Sequence, residues 1–474
     1  MSPTRTETDA LGSRQLPGDG LWGIHTLRAL ENFPLSGRPL HPALIRALGT
    51  VKLAAAQTND RLGIWRDDPA KADAILAACR EMAAGQLGQW VVVDGLQGGA
   101  GTSANMNVNE VLANRALVLL GCAQGDYGRV SPLDDLNRHQ STNDVFPTAL
   151  RVAALELLAR LEHKVVALQE AFQRQEQRWA HVVKVARTEW QDAVLITADR
   201  TFAAYAEAIN RDRWRLAKCH ERLRVVNLGG TAVGTGLAAP RRYIFEVTES
   251  LRELTGLGLA RAENLVEATQ NADVFVEVSG MLKAHAANLL KICSDLRVLG
   301  SGPDAGLAEL RLPRRQAGSS IMPGKVNPVI PEAVSQAAML AIGHDAALTL
   351  ACASGSLELN PFLPLVAQTL LDTLDLLANA DDILCRHCVD GLEVDAARCA
   401  QQVANATAAV TALVPVIGHE RAADLAAAAA RTGRSIRELA RTEAGIDDDQ
   451  FDRLTGAAAV CRLGFTPSPS QHTS

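Results

Sequence analysis

The chain has 474 residues with 47 basic and 53 acidic side chains, a formal net charge of −6, which argues against general binding to nucleic acid or to an anionic membrane. No run of about 18 apolar residues occurs, so no segment is expected to span a bilayer. The start, MSPTRTETDALGSRQ, has no apolar signal core and reads as a short disordered arm on a cytoplasmic protein. Nine scattered cysteines suit a reducing compartment, and only 4% aromatic residues call for a core of aliphatic side chains and alanine, which favours helices.

Along the chain, the first interruption is Gly98-Gly99-Ala100-Gly101-Thr102-Ser103, and the second runs from Asn137 to Asp144. Beyond it the apolar positions Leu150, Ala154, Leu157, Leu161, Val165, Leu168 and Phe172 step by three or four, the spacing of one helical face. Asp144 and Pro147 stand at its entrance, as helix starts permit. After an irregular stretch from Asn227 to Pro240, a second long helix is predicted over Val274, Val278, Leu282, Leu289, Ile292 and Leu296. The segment Gly318 to Pro328 breaks the pattern again, and a third helix follows between Glu332 and Ala353. Helices of roughly 20 to 30 residues with heptad-like stripes predict an all-α bundle. No strand–helix alternation is present, against a doubly wound sheet. The tail from Gly464 to Ser474 is polar and expected to be disordered.

Three apparent motifs are set aside. Gly234-Thr-Gly236-Leu-Ala-Ala239 matches a loose dinucleotide pattern, but Pro240 follows at once and no parallel sheet is expected. Gly318 to Lys325 resembles a phosphate loop with its glycines one position too far apart, and Val326 replaces the hydroxyl that would hold magnesium. Cys385 and Cys388 lack a second cysteine pair and read as packing on a helix rather than a zinc site.

Three segments are rich in hydroxyl and amide side chains: Gly101 to Asn107, Gln140 to Asp144, and Gly318 to Pro328. Singly, each could be a helix cap or turn, because Ser, Thr, Asn and Asp are the usual caps. Together they supply many neutral donors and one lysine, which suits a small dicarboxylate. In the third, Gly318, Pro323, Gly324 and Pro328 prevent a regular helix and make a candidate lid. Ser319 and Ser320 lack a hydrolase elbow, so a serine here fits a base better than an acyl nucleophile. Lys325 and Asn327 could stabilise charge on a carboxylate.

The stretch GSSIMPGKVNP resembles the signature of the aspartase/fumarase superfamily, and the other two segments are similar to its remaining common regions. Within it, GIHTLRALENF, GGAGTSANMNVNEVLANR, AENLVEATQNAD, SGMLKAHAANLLKICSDLRVLGSGPDAGLAEL and VIPEAVSQ are most similar to the aspartate ammonia-lyase branch. The resemblance implies an all-α, three-domain fold: an N-terminal helical domain, 1–144; a central long-helix domain, 145–391, carrying the loop 318–328; and a small helical C-terminal domain, 392–474. It implies a homotetramer with a twenty-helix core and active sites each built from three subunits. The implied reaction is an anti elimination of ammonia or a larger amine, yielding fumarate. Ser319 would take the proton, Thr102, Ser141, Thr142 and Ser320 would hold the resulting enediolate, and Ser103 would also contact the substrate. Lys325, Asn327 and Thr188 would hold the other carboxylate, with Asn143 near the leaving group. The implied partners are a dicarboxylate and an amine, and no metal or organic cofactor is required.

The chain departs from the family pattern T-H-x-Q-D-A, which here reads Thr188-Glu189-Trp190-Gln191-Asp192-Ala193. The replaced histidine would have paired with the glutamate after the loop, here Glu332, so Glu189 and Glu332 are expected to be neighbours. Two close carboxylates cannot both ionise cheaply unless a cation lies between them. That points to an amine larger than ammonia, or to one carboxyl acting as a general acid. The plainer reading is an ion pair of Glu189 with an arginine such as Arg187. His344, His139, Val414 and His419 are further departures. A class II fumarase and an inactive dicarboxylate-binding homologue are the competing readings.

Overall fold

The computed structural model describes residues 4–464; the tail expected to be disordered lies, beyond Gly464, outside the described residues. Two compact units divide the chain, one of Met1–His163, Arg213–Ala287 and Ala338–Ala378, the other of Lys164–Asp212, Asn288–Ala337 and Asn379–Ser474. The N-terminal arm is not disordered where it is described. Strands β1 (Thr4–Asp9) and β2 (Gly12–Pro17) pair antiparallel, and Arg5 ties them down by donating to the carbonyls of Gly20 and Trp22.

In the first unit, helices α1 (Ile24–Asn32), α2 (Pro42–Arg61), α3 (Pro69–Ala83) and α4 (Thr102–Leu119) precede the bundle. Pro42 and Pro69 each occupy the first turn, and Asp68 caps α3 by accepting from Lys71 N at 3.1 Å, as helix starts prefer. Helices α2 and α3 touch at Gly49, where a Cβ would lie 2.5 Å from Ala83 N. Helix α4 is unusual in burying polar side chains. Asn107 holds Trp90 O and Val92 N, and Asn114 holds Leu21 O and Gly125 N. Glu110 accepts from Gly23 N, His25 N, Thr26 N and the Thr26 hydroxyl at 2.6–3.1 Å. The asparagine-rich sequence of α4 thus fastens the loops around it.

Five long helices follow: α5 (Thr142–Arg178), α6 (Ala198–Leu223) and, after α7 (Arg241–Thr255) and α8 (Leu265–Gln270), α9 (Asp273–Leu299), α10 (Val329–Ala353) and α11 (Leu363–Leu384). They include the three predicted from periodicity. Within the first unit they form a closed ring of side-chain contacts. His220 meets Glu162 across α6 and α5, and Arg222 meets Glu277 across α6 and α9. Asp345 on α10 takes Ser279 and Lys283 of α9. His344 bonds Thr373 of α11, and Arg160 of α5 closes the ring on Asp375. Helix α10 is long and apolar enough by composition to cross a membrane, yet its His344 and Asp345 are committed to these neighbours.

The second unit adds the antiparallel hairpin of β3 (Val183–Thr188) and β4 (Gln191–Thr197), bulged between Val185 and Arg187. It packs on the short C-terminal helices through Val185, Leu195, Leu413, Leu425, Leu439 and Phe451. Cys385 and Cys388 are free and buried in a π-helical turn at the end of α11, as the packing reading expects. Two-residue strand pairs, Val225–Val226 with Ala260–Arg261 and Leu310–Arg311 with Glu393–Val394, add no sheet layer.

Glu110→Ala would strand three backbone donors and one hydroxyl donor in the interior. It should lower the unfolding free energy by about 3 kcal/mol in urea denaturation; an unchanged midpoint would remove Glu110 from its anchoring role.

Candidate active site

The residues singled out from sequence fall into two groups. In the first unit, the N-termini of α4 and α5 meet. Helix α4 is entered through Gly101, with φ +95 and a virtual Cβ 2.4 Å from the Phe146 ring, so only glycine fits. Thr102 opens the helix and donates to Gly99 O at 2.7 Å, and Ser103 is buried. Asn105 bridges to α5 by donating to the Thr142 hydroxyl and to Asn137 Oδ1, both at 3.1 Å. Ser141 caps α5: its hydroxyl accepts from Asn143 N at 3.2 Å while Asp144 accepts from Ser141 N at 2.9 Å, a reciprocal capping box. Two helix N-termini meet here with Thr102, Ser103, Ser141, Thr142 and Asn143 around them, a cradle of donors of the kind that can accept a carboxylate.

Two buried charges absent from the sequence-derived set support this cradle. The second Asp144 oxygen accepts from Gly229 N and Thr231 N, each at 3.0 Å. Asn143 donates to Ala232 O and Asn227 to Asn143 O. The stretch around 227–232 is therefore strapped to the α5 cap, and Gly234 abuts the backbone of Leu265 rather than opening toward a nucleotide. Lys52, 1% exposed, donates to Asn137 Oδ1 at 3.1 Å and Gln140 Oε1 at 2.9 Å. Burial pushes its ammonium down to about 7, opposed by the nearby Asp144 charge. Burial pushes Asp144 up to about 6, opposed by its backbone donors and Lys52. A lone lysine in the alanine-rich run of α2 was the available signal for Lys52.

The second unit holds the other group. In the loop 318–328, Gly318 N donates to Lys325 O at 3.0 Å and Asn327 Nδ2 to Gly318 O at 2.8 Å, closing its base. Asn327 is thereby engaged on its own loop. The Ser319 hydroxyl oxygen accepts from Ile321 N at 3.2 Å and Met322 N at 2.9 Å. Two amide donors on one hydroxyl oxygen favour its deprotonated form, the requirement for a serine base. Ser320 and Lys325 are exposed. Glu332, on the first turn of α10, lies 4.0 Å from Arg297.

Thr188 and Gln191 close the β3–β4 hairpin around Glu189 and Trp190, whose φ values are +52 and +65. A two-residue turn with both φ positive is a type I′ turn, which favours Asn-Gly. Glu189 is exposed and makes no ion pair among the described residues; Arg187 is instead held by the fully buried Glu309 and by Asp192. The ion pair with Arg187 is thus not formed. Glu309 also takes Lys184 at 2.9 Å, anchoring the hairpin's foot. Below the tip lies a cavity of about 590 Å³ lined by both turn residues and by side chains of α6 and α9. Trp190, 75% exposed, was absent from the sequence-derived set, because a single exposed aromatic carries no spacing signal. Two of the other departures make packing contacts: His139 bonds Asn59 at 2.8 Å and lies 5.2 Å from the Tyr243 ring, and His344 bonds Thr373 at 3.0 Å.

The lyase family, described as "Lyase", matches residues 12–343, and the family described as "Fumarase C C-terminus" matches residues 410–461. The chain is 46% identical over 457 residues to an aspartate ammonia-lyase of Pseudomonas canavaninivorans, covering 95% of each protein. A fumarate lyase:delta crystallin from Brucella melitensis, solved bound to cobalt, superposes with a TM-score of 0.91 at 46% identity, covering 96% of this chain and 98% of that one. The class II fumarase of Schistosoma mansoni superposes with a TM-score of 0.89 at 31% identity, over 96% and 98%. Among the described residues, no group of three or more His, Cys, Asp or Glu is arranged to hold a metal ion.

Two measurements test the site's electrostatics and its strain. Asp144, raised to about 6 from 3.8, gives stability that is present below 3.8 and lost as pH rises through 6. Lys52, lowered to about 7 from 10.5, gives stability present above 10.5 and lost as pH falls through 7. Wild-type stability measured against Lys52→Met should therefore climb between pH 7 and 10.5; a flat difference would contradict the buried ammonium. The double variant Glu189→Asn, Trp190→Gly should raise stability by about 1 kcal/mol by relieving the turn, read from the denaturant midpoint.

Proposed function

The chain belongs to the aspartase/fumarase superfamily of lyases, and we propose that it is a carbon–nitrogen lyase interconverting an aspartate-type substrate with fumarate and a nitrogen base. The observation that carries this reading is the Ser319 hydroxyl, held in a loop by two backbone N–H donors, in a chain that also presents a two-helix cradle of neutral donors. Ser319 takes the proton from the carbon beside one carboxylate. The electron pair passes into that carboxylate as an enediolate, and the carbon–nitrogen bond breaks with its pair going to nitrogen. Thr102, Ser103, Ser141, Thr142 and Ser320 donate to the enediolate, where donors placed in advance supply several kcal/mol. Lys325, Asn327 and Thr188 hold the other carboxylate, and Asn143 lies toward the leaving group.

The cradle belongs to one unit and the base loop and hairpin to the other. That division accords with active sites assembled from several subunits of a homotetramer. Helix α10 supports the same assembly, since Met339, Leu340 and Leu350 are 57%, 52% and 70% exposed and need an apolar partner. The domain limits at 144 and 391 and residence in the cytoplasm belong to this reading too.

Glu189 makes the leaving group the open variable. In this reading Glu189 and Glu332 recognise the departing amine, with Arg297 beside Glu332 supplying one of the cations that two carboxylates require. The test is to incubate the protein with fumarate and, separately, ammonia, water alone and a panel of amines including diamines, following the loss of fumarate absorbance. Loss with a nitrogen base is expected, and Ser319→Ala should slow it by at least about a hundredfold. Loss with water alone would move the assignment to a hydro-lyase. No loss with any of them, together with tight fumarate binding, would leave a dicarboxylate-binding homologue. Glu189→His should shift the preference toward ammonia; an unchanged profile would remove Glu189 from selection.

A further inference from the structure

The hairpin tip carries more apparatus than the departure of ammonia needs. Ammonia is a single heavy atom, whereas the cavity below Glu189 and Trp190 has a volume of about 590 Å³, within the range that holds an organic ligand. Its charges are unevenly satisfied. Lys184 and Arg187 share Glu309, Lys291 sits on Asp295, and Arg200 lies 3.9 Å from Asp199. An incoming anion would compete with a carboxylate at each of these cations. Glu189, by contrast, makes no ion pair among the described residues, and beside it stands an indole 75% exposed. A carboxylate next to an open aromatic face is the pairing that binds an organic ammonium. Both residues are held in the left-handed region, where Asn-Gly would cost less, and strain of that kind persists where the side chains themselves are needed.

Resting on the carbon–nitrogen lyase reading, we propose that this cavity receives the organic substituent of the leaving-group amine. Trp190 and Glu189 grip a second, non-reacting ammonium on that substituent, so the preferred substrates are N-substituted aspartates derived from a diamine. In the direction of addition, the free amino nitrogen of the diamine forms the new bond to one olefinic carbon of fumarate and gives up a proton. The other olefinic carbon gains a proton. The distal ammonium keeps its charge throughout and serves only for recognition. Trp190 is a specificity-determining residue in this scheme.

The experiment compares kcat/KM for ethylenediamine, ethylamine and ammonia with saturating fumarate, using the assembled wild-type protein, Trp190→Ala and Trp190→Phe. Ratios between amines on the same preparation are independent of how much of it is active. The wild type is expected to favour ethylenediamine over both of the others, and over ethylamine by about tenfold, the factor that a partly desolvated cation–π contact provides. Trp190→Ala should erase that preference, and Trp190→Phe, which keeps an aromatic face, should retain most of it. A wild type that prefers ammonia, or a ratio unmoved in Trp190→Ala, would overturn the proposal while leaving the lyase reading intact. Consumption of fumarate with no nitrogen base at all would sink the lyase reading and the proposal with it.

Discussion

Asp144 is the interaction on which the donor cradle depends. It is completely buried, and its carboxylate accepts from the backbone N–H of Ser141, Gly229 and Thr231. Those three bonds fix where α5 begins and where the chain returns after α6. A buried carboxylate is expensive unless it is hydrogen-bonded, and here the cost is met by three backbone donors, one at the α5 cap and two in the loop after α6. The position of Ser141, Thr142 and Asn143 follows. They are the first residues of a helix whose origin is pinned from two sides.

Lys52 completes the arrangement from the opposite direction. It reaches from α2 to the side chains of Asn137 and Gln140, the turn that delivers the chain to Ser141. A single cation therefore organises the approach to α5 while Asp144 organises its start. Asn105 and Asn109 also meet Asn137, so the α4 and α5 termini share one polar hub. A site that must offer many neutral donors to a dianion needs them held in place before substrate arrives. A hub of buried amides and two opposite charges does that without placing a net charge among them.

Much of this was legible in the amino-acid pattern and some was not. The long helices announced themselves through period 3.6, since a face of Leu150, Leu157, Leu161, Leu168 and Phe172 fits one stripe of a helix and no strand. The three donor-rich segments stood out because small polar residues and glycines interrupt that pattern. The resemblance to a lyase family, together with the matches over nearly the whole chain, supplied the remainder of the fold class. Asp144 was visible as a helix entrance and as the end of a donor-rich segment, but not as a tie, because that role joins residues 85 positions apart. The N-terminal hairpin was missed because Thr, Glu, Arg and Gln form a polar strand pair whose order comes from Arg5 and its long-range bonds, not from apolar alternation. Trp190 was missed for a related reason: what marks it is backbone conformation and exposure, and neither is written in residue spacing.

The β3–β4 hairpin shows how stability and strain are divided along one element. Glu309 is fully buried and bound to Lys184 at the hairpin's foot and to Arg187 one pair below the turn, a pairing that is strongly destabilising to break. At its tip, two residues with bulky side chains occupy left-handed conformations that L-residues avoid. The bulge between Val185 and Arg187 lies between foot and tip, and bulges re-aim the strand beyond them. A loosely held hairpin would relax such a turn into a longer, unstrained loop. One clamped at its foot and packed on Leu413, Leu425 and Leu439 cannot. The chain can therefore display a carboxylate and an indole at a fixed place on the cavity rim, with the strain at the tip borne by the ion pairs at the base. On the proposed reading the tip meets the leaving group, and the buried Glu309, through Lys184 and Arg187, holds the strands that carry it.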